Sequence, residues 1–151
     1  MGLFNTVVVS GKANVGKTTS LKMLAEYYNS RKDVIMEDPE NLSKQDYWCS
    51  FIINNRRVAI ITFGDKADDI KRAFHYLGKC DFYICASHLY GETVKAILKL
   101  KNEYNIVNPL FINKTGVSSN NETIIKNNNE VFVKQLILIL DSILEASRDN
   151  W

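Results

Sequence analysis

The chain has 151 residues, 46% of them hydrophobic and 24% charged, with a net charge of +2. That length suits one domain, residues 1–151, built on a single sheet, and the composition is that of a soluble globular protein. So small a net charge carries no nucleic-acid or membrane-surface signal, and the most apolar stretch, residues 136–140, is far too short to span a membrane.

The β-branched run Thr6-Val7-Val8-Val9-Ser10 predicts a buried strand directly after Met1, with no secretory leader. It leads into Gly11-Lys12-Ala13-Asn14-Val15-Gly16-Lys17-Thr18, a complete G-x-x-x-x-G-K-[ST] pattern. Thr19 then opens a predicted helix with Leu21, Leu24, Ala25 and Tyr28 on one face. Strand, glycine loop and helix form the context in which the pattern is a phosphate site. The loop curls so that successive N–H groups of Gly11, Lys12, Ala13, Asn14, Val15 and Gly16 point inward, and the helix N-terminus adds partial positive charge. Lys17 is expected to neutralise the β- and γ-phosphates, and Thr18 to place its hydroxyl on Mg²⁺.

Val34-Ile35-Met36 predicts a short second strand, ended by Glu37-Asp38-Pro39. Residues 47–53 and 58–63 read as a hairpin about Asn54-Asn55-Arg56-Arg57, the two asparagines suiting positive φ. Arg56 and Arg57 are expected at a solvated tip. The second arm, Val58-Ala59-Ile60-Ile61, is apolar throughout, as in a strand buried on both faces. Thr62 and Asp65 follow it, where a metal-side group belongs. Thr62 is a candidate for a metal-bound water, and Asp65 for the metal itself or for capping the next helix, with Gly64 supplying the flexibility to aim it inward.

Residues 68–77 predict a helix on Ile70, Ala73, Phe74 and Leu77, and Phe82-Tyr83-Ile84-Cys85-Ala86 a strand. A helix is expected over residues 92–103, a strand over 109–112, and a last helix over 130–146. The Asn- and Ser-rich segment 118–129 reads as a mobile surface loop. Cys49, Cys80 and Cys85 are odd in number and unpatterned, as expected of reduced thiols in a cytoplasmic protein. The alternation predicts an α/β three-layer sandwich: a mostly parallel sheet of about five strands plus an antiparallel hairpin strand, helices on both faces. Ligands of such sheets sit beyond the carboxyl ends of the strands. In the loop after the fourth predicted main strand, which faces that edge, His88 reads either as a phosphate or acceptor contact or as an exposed loop histidine with no role, and Tyr90 as a ring for stacking; His75 lies within a helix and reads as structural or solvated. The last helix is apolar beyond a single stripe. A wedged position between sheet and helices, or an outer dimer or partner interface, both account for it.

On the motif between Gly11 and Thr18 and its context, the chain resembles the P-loop NTPase superfamily. Residues 10–19 also resemble the deviant phosphate loop of plasmid-partition and septum-site ATPases, K-G-G-x-G-K-[ST]-[ST], with Lys12 where that family keeps a second lysine. Ala13 and Asn14 stand in place of its paired glycines, and Met36 in place of the first acid of its second-strand pattern. The resemblance implies that Lys12 reaches a neighbour's phosphates in a nucleotide-sandwich dimer and that Asp38 positions the attacking water. It also implies that Asn113 and Lys114 lie in the nucleotide-base region. The implied function is a slow Mg-ATPase, with ATP and Mg²⁺ as cofactors, whose nucleotide state controls dimerisation or binding of a protein partner.

Other readings stay open. Glu37-Asp38-Pro39 resembles the glutamate-proline strand end of deoxynucleoside kinases, which implies a small-molecule or nucleoside kinase using a carboxylate as general base. Asn113-Lys114-Thr115-Gly116 begins like the N-K-x-D motif of GTP-binding switches. Gly116 replaces the aspartate that pairs with guanine, which favours ATP. A non-catalytic nucleotide-binding regulatory module is the remaining alternative.

Overall fold

The structure, a computed structural model, describes residues 4–89 and 91–145. Among these, the elements run β1 (Thr6–Ser10), α1 (Lys17–Ser30), β2 (Ile35–Met36), β3 (Trp48–Ile53), β4 (Arg56–Ile61), α2 (Ala67–Leu77), β5 (Phe82–Ser87), α3 (Glu92–Lys99), β6 (Leu110–Asn113) and α4 (Glu122–Leu144), with a 3₁₀ turn at Pro39–Ser43. The six strands form one sheet in the order β2-β3-β4-β5-β1-β6. β3 runs antiparallel to both neighbours, and the remaining pairings are parallel. This is the mostly parallel α/β sheet with one reversed hairpin strand that the pattern predicts. The order adds something local pattern does not carry: β5 lies between β1 and β4.

Side-chain alternation along the central strands divides the core in two. Val7 and Val9 of β1, with Ile60, Phe82 and Ile84, pack under α1 and α4 through Leu21, Leu24, Tyr28, Leu136 and Leu140. Val8, with Ala59, Ile61, Tyr83 and Cys85, faces α2 and α3 through Ile70, Phe74 and Ile97. Both faces of β1, β4 and β5 are therefore covered, which is why these strands read as unbroken apolar runs. Burial pushes the Cys49 and Cys85 thiols up to about 12 and Cys80 up to about 11, so all three are inert thiols. No helix among the described residues is long and apolar enough to cross a membrane.

The hairpin turns as its asparagines suggest, with Asn54 at φ 52 and Asn55 at φ 60. The two arginines after it are not at a solvated tip. Arg56 is 1% exposed, and its Nη1 donates to the Leu144 carbonyl at 2.9 Å, where Asn54 Nδ2 also donates at 3.0 Å. A hairpin tip thus closes the C-terminal end of α4, whose last carbonyls have no partner within the helix. Arg57 is half-buried and donates to Glu37 at 2.7 Å and to the Leu77 carbonyl at 2.6 Å. Arg56→Ala is expected to lower stability by about 3 kcal/mol, and Arg56→Met, which keeps the aliphatic stem, by roughly half that. Urea midpoints of the two variants check this.

Two helices depart from their predicted bounds. α3 ends at Lys99 rather than at residue 103, because the chain turns to bury Tyr104 and Ile106 against α2 and α3 and leaves through Asn105 at φ 55. α4 begins at Glu122, eight residues before its predicted start, so 122–129 is helix and not loop. Asn121 is the reason: its Oδ1 accepts from Thr123 N at 2.9 Å and Ile124 N at 3.3 Å, an N-cap that offsets the poor helix propensity of the asparagines behind it. The predicted end at Ala146 lies outside the described residues. α4 buries Val133, Leu136, Leu140 and Leu144 and leaves Ile124, Val131 and Leu138 exposed on its outer side, so the wedged position accounts for one stripe only.

Candidate functional site

β1 ends between the ends of β5 and β6, and the 11–18 loop is tied to both. Gly11 N donates to the Ser87 carbonyl at 3.3 Å, and Lys114 N donates to the Ser10 carbonyl at 2.7 Å. A Cβ at Gly11 would run into the backbone oxygen of Lys114, so glycine is required there by close approach. Asn14, at φ 62, takes the left-handed conformation that a glycine would otherwise supply. Gly16 follows at φ 95 as the N-cap of α1. No side chain caps that N-terminus and no acid occupies its first turn, which leaves its positive end open to an anion. Lys12, Ala13, Asn14 and Thr19 are exposed, while Val15, Gly16 and Thr18 are half-buried.

Lys17 lies under the loop, 6% exposed, and its Nζ donates to the Gly11 carbonyl at 2.5 Å and the Ser87 carbonyl at 3.0 Å. Burial lowers its pKa and the Asp65 carboxylate raises it, with burial prevailing. Asp65 comes within that electrostatic reach although β4 is two strands from β1. Gly64 makes this possible. A Cβ on Gly64 would overlap the Ala86 backbone near the end of β5, so glycine lets the chain lie close against that strand just before Asp65. Asp65 Oδ1 is 3.5 Å from His88 Nε2. The N-cap of α2 is Lys66, so Asp65 does not cap that helix. Close fit at Gly64, rather than flexibility, aims the carboxylate. Thr62, in contrast, is unavailable to a metal-bound water: it is fully buried, its Oγ1 donating to the Tyr47 carbonyl at 2.9 Å and accepting from Tyr47 N at 3.1 Å.

His88 is half-buried beside Lys12, Ala13 and Leu89 in a cleft of ≈ 280 Å³, with its N–H donating to Thr93 Oγ1 at 3.0 Å. Tyr90 lies outside the described residues. His75 is exposed on α2 and has no part here.

Asp38 is not brought to the loop. Through the ladder, Met36 is level with Phe51, Val58 and Phe82, one residue before the level of Thr6, so Asp38 stands level with Val7. That is about 13 Å below Gly11 along the strands, and β2 lies four strand spacings from β1, ~19 Å to the side. The second strand enters the sheet low and at its far edge, and Pro39 stops it there. Glu37 is also engaged elsewhere. Burial pushes its carboxyl up, but hydrogen bonds from Arg57 and Ser50 outweigh this and hold it below the usual carboxylate range. Neither acid has the geometry for water positioning or for general-base work on the loop's ligand.

Lys114 is 2% exposed and serves the loop from within. Its Nζ donates to the carbonyls of Val15 and Thr115, each at 2.8 Å, and to Asn128 Oδ1 at 2.7 Å, and burial lowers its pKa. It is thus a strut from β6 to the loop and to α4, while Asn113 is exposed at the end of β6. Between loop and α4 opens a cleft of ≈ 370 Å³, lined by Asn14, Thr19, Val117, Ile125, Asn128 and Asn129 among others. Asn128 and Asn129 escape a reading by composition, which assigns them to a loop. The cap at Asn121, followed by Glu122 and then Ile124-Ile125, was the available signal.

Thr18 and Asp65 are both hard oxygen donors, and the Thr18 hydroxyl makes no hydrogen bond among the described residues. One hydroxyl and one carboxylate fit Mg²⁺, which keeps several waters and takes further oxygens from phosphates. The described residues hold no cluster of three or more His, Cys, Asp or Glu, so the protein supplies no complete cage for an ion alone. On the other side of Asp65 lies a cleft of ≈ 330 Å³ walled by Trp48, Phe63, Lys66, Asp69 and Arg72. The chain matches no family model, no curated protein and no solved structure, so the site's own geometry carries the reading.

Proposed function

We propose that this chain is a P-loop protein that binds Mg-ATP on the 11–18 loop, hydrolyses it slowly, and uses the bound state to control association with a second copy or a protein partner. The observation that carries the reading is Lys17. A buried ammonium held, among the described residues, by two carbonyls alone, below an uncapped helix N-terminus, is placed for an anion that both groups face. Asp65 and Thr18 supply the metal side. Slow turnover follows from the acids: with Asp38 and Glu37 remote, Asp65 is the acid among the described residues that lies near the loop. Lys12 is exposed, with no ion pair among the described residues, and is free to act across a dimer.

The test is isothermal calorimetry with Mg-ATP, followed by phosphate release at increasing protein concentration. Binding with turnover per chain that rises with concentration supports the reading, and Lys12→Ala is expected to keep the affinity while flattening that rise. No heat with Mg-ATP removes it. The Trp48–Phe63 cleft supports a second reading, transfer to an acceptor bound beside Asp65. In that case ATP consumption rises on adding one member of a nucleoside and metabolite panel, at constant protein concentration.

A further inference from the structure

Asn129 sits on the second turn of α4, 4% exposed, and its carboxamide makes no hydrogen bond among the described residues. Its polar atoms keep contact with the cleft, so the carboxamide is open to a ligand that enters there. Asn129 lines the ≈ 370 Å³ cleft between α4 and the loop, a volume typical of small-molecule sites. It also lies against Gly16: a Cβ there would collide with Asn129 Oδ1, so loop and carboxamide are fitted to each other. Its neighbour Asn128 is differently employed, its Oδ1 accepting from Lys114 Nζ at 2.7 Å.

The residues lining the cleft are all neutral. Val15, Val117 and Ile125 form aliphatic walls, and the polar groups are amides and hydroxyls. Such a site suits a flat, uncharged heteroaromatic ring with adjacent hydrogen-bonding atoms. A carboxamide offers one acceptor beside one donor, which matches an adenine edge, where an exocyclic N–H₂ lies next to a ring nitrogen. Guanine presents two adjacent donors, N1–H and N2–H, and needs two acceptors, best a carboxylate. Among the described residues no carboxylate lines the cleft.

We propose that the Asn129 carboxamide, carried by α4 and seated against Gly16, is the base-reading group of this protein and selects adenine over guanine. This rests on the nucleotide reading above. It moves base recognition from Asn113 and Lys114, where the sequence pattern suggests it, to a helix that meets the loop from the other side. Asn113 is exposed at a strand end and Lys114 is consumed as a strut, so neither competes for the role.

The experiment uses the unmodified protein first, which avoids any question of folding. Calorimetry with Mg²⁺ compares ATP, GTP, the triphosphate of purine riboside (which lacks the exocyclic amine) and inorganic tripolyphosphate. ATP is expected to bind at least tenfold tighter than GTP and than the purine analogue. Asn129→Ala is expected to bring the three nucleosides within about threefold of one another, by weakening ATP alone. Equal affinities for ATP, GTP and the purine analogue in the unmodified protein overturn the assignment while leaving the loop in place. Tighter binding of GTP than ATP also overturns it. Failure of all four ligands, tripolyphosphate included, overturns the phosphate-loop reading and the assignment with it.

Discussion

Lys17→Met is expected to abolish nucleotide binding while leaving the fold at least as stable as before. Under the proposed reading the two consequences separate, because the Lys17 ammonium serves a ligand while its burial costs the fold a desolvated charge. Among the described residues its Nζ is held by the Gly11 and Ser87 carbonyls alone, without a carboxylate in direct contact, and desolvation is the largest influence on its pKa. Methionine fills a similar volume and removes a buried charge. Of the two acceptors, Ser87 O keeps the Gly11 N–H, so little is orphaned. Under the same reading the ammonium makes charge-assisted hydrogen bonds to phosphate, each worth about 1.5–3 kcal/mol, and losing two costs at least about 100-fold in affinity. Thermal unfolding reads both quantities at once. Mg-ATP at about 100 times its Kd stabilises a binding-competent protein by about 2.7 kcal/mol, which raises Tm by roughly 5–10 °C in a chain of this size. The variant is expected to melt at or above the unmodified protein without nucleotide and to show no rise with it. A full rise in Lys17→Met would remove the loop from the site.

What the sequence discloses divides along a physical line. The strand, loop and helix at residues 6–30 are local: a β-branched run, a glycine pattern and apolar side chains at helical spacing each act within one turn or strand, and all three hold. The Asn54-Asn55 turn is legible for the same reason, since positive φ is a property of those two residues. Strand order and register are not local. Nothing in Glu37-Asp38-Pro39 says that its strand lies low on the far edge of the sheet, so the resemblance places Asp38 beside the 11–18 loop, which it does not approach. Thr62 and Arg56 fail in the same way. Each is polar and looks available, yet a distant partner, the Tyr47 backbone or the end of α4, has already claimed it. Asn129 is the opposite case. Its composition-rich neighbourhood reads as loop, and only the helix started by Asn121 turns its side chain inward to Gly16.

Gly64 tests that long-range component directly, and Gly64→Ala is expected to damage both stability and the metal side of the site. Its φ is not in the left-handed region, so alanine meets no backbone strain of its own. The obstacle is the Ala86 carbonyl, which a Cβ at this position would overlap. Ala86 is paired with Val9 in the β1–β5 ladder and cannot yield without breaking the centre of the sheet. The 62–65 segment must lift instead. Overpacking of this kind costs about 1–3 kcal/mol, visible as a lower urea midpoint. Lifting also carries Asp65 away from Lys17 and His88, which it reaches from the residue after Gly64. Under the proposed reading, ATP affinity in Gly64→Ala is expected to lose most of its dependence on Mg²⁺, while binding measured in EDTA, which relies on Lys17 and the loop amides, changes by less than about threefold. Asp65→Asn provides the comparison, with the same loss of Mg²⁺ dependence and an unchanged urea midpoint, because that side chain is largely exposed. If Gly64→Ala kept both its midpoint and its Mg²⁺ dependence, the close fit of Gly64 against Ala86 would not be what holds Asp65 at the loop.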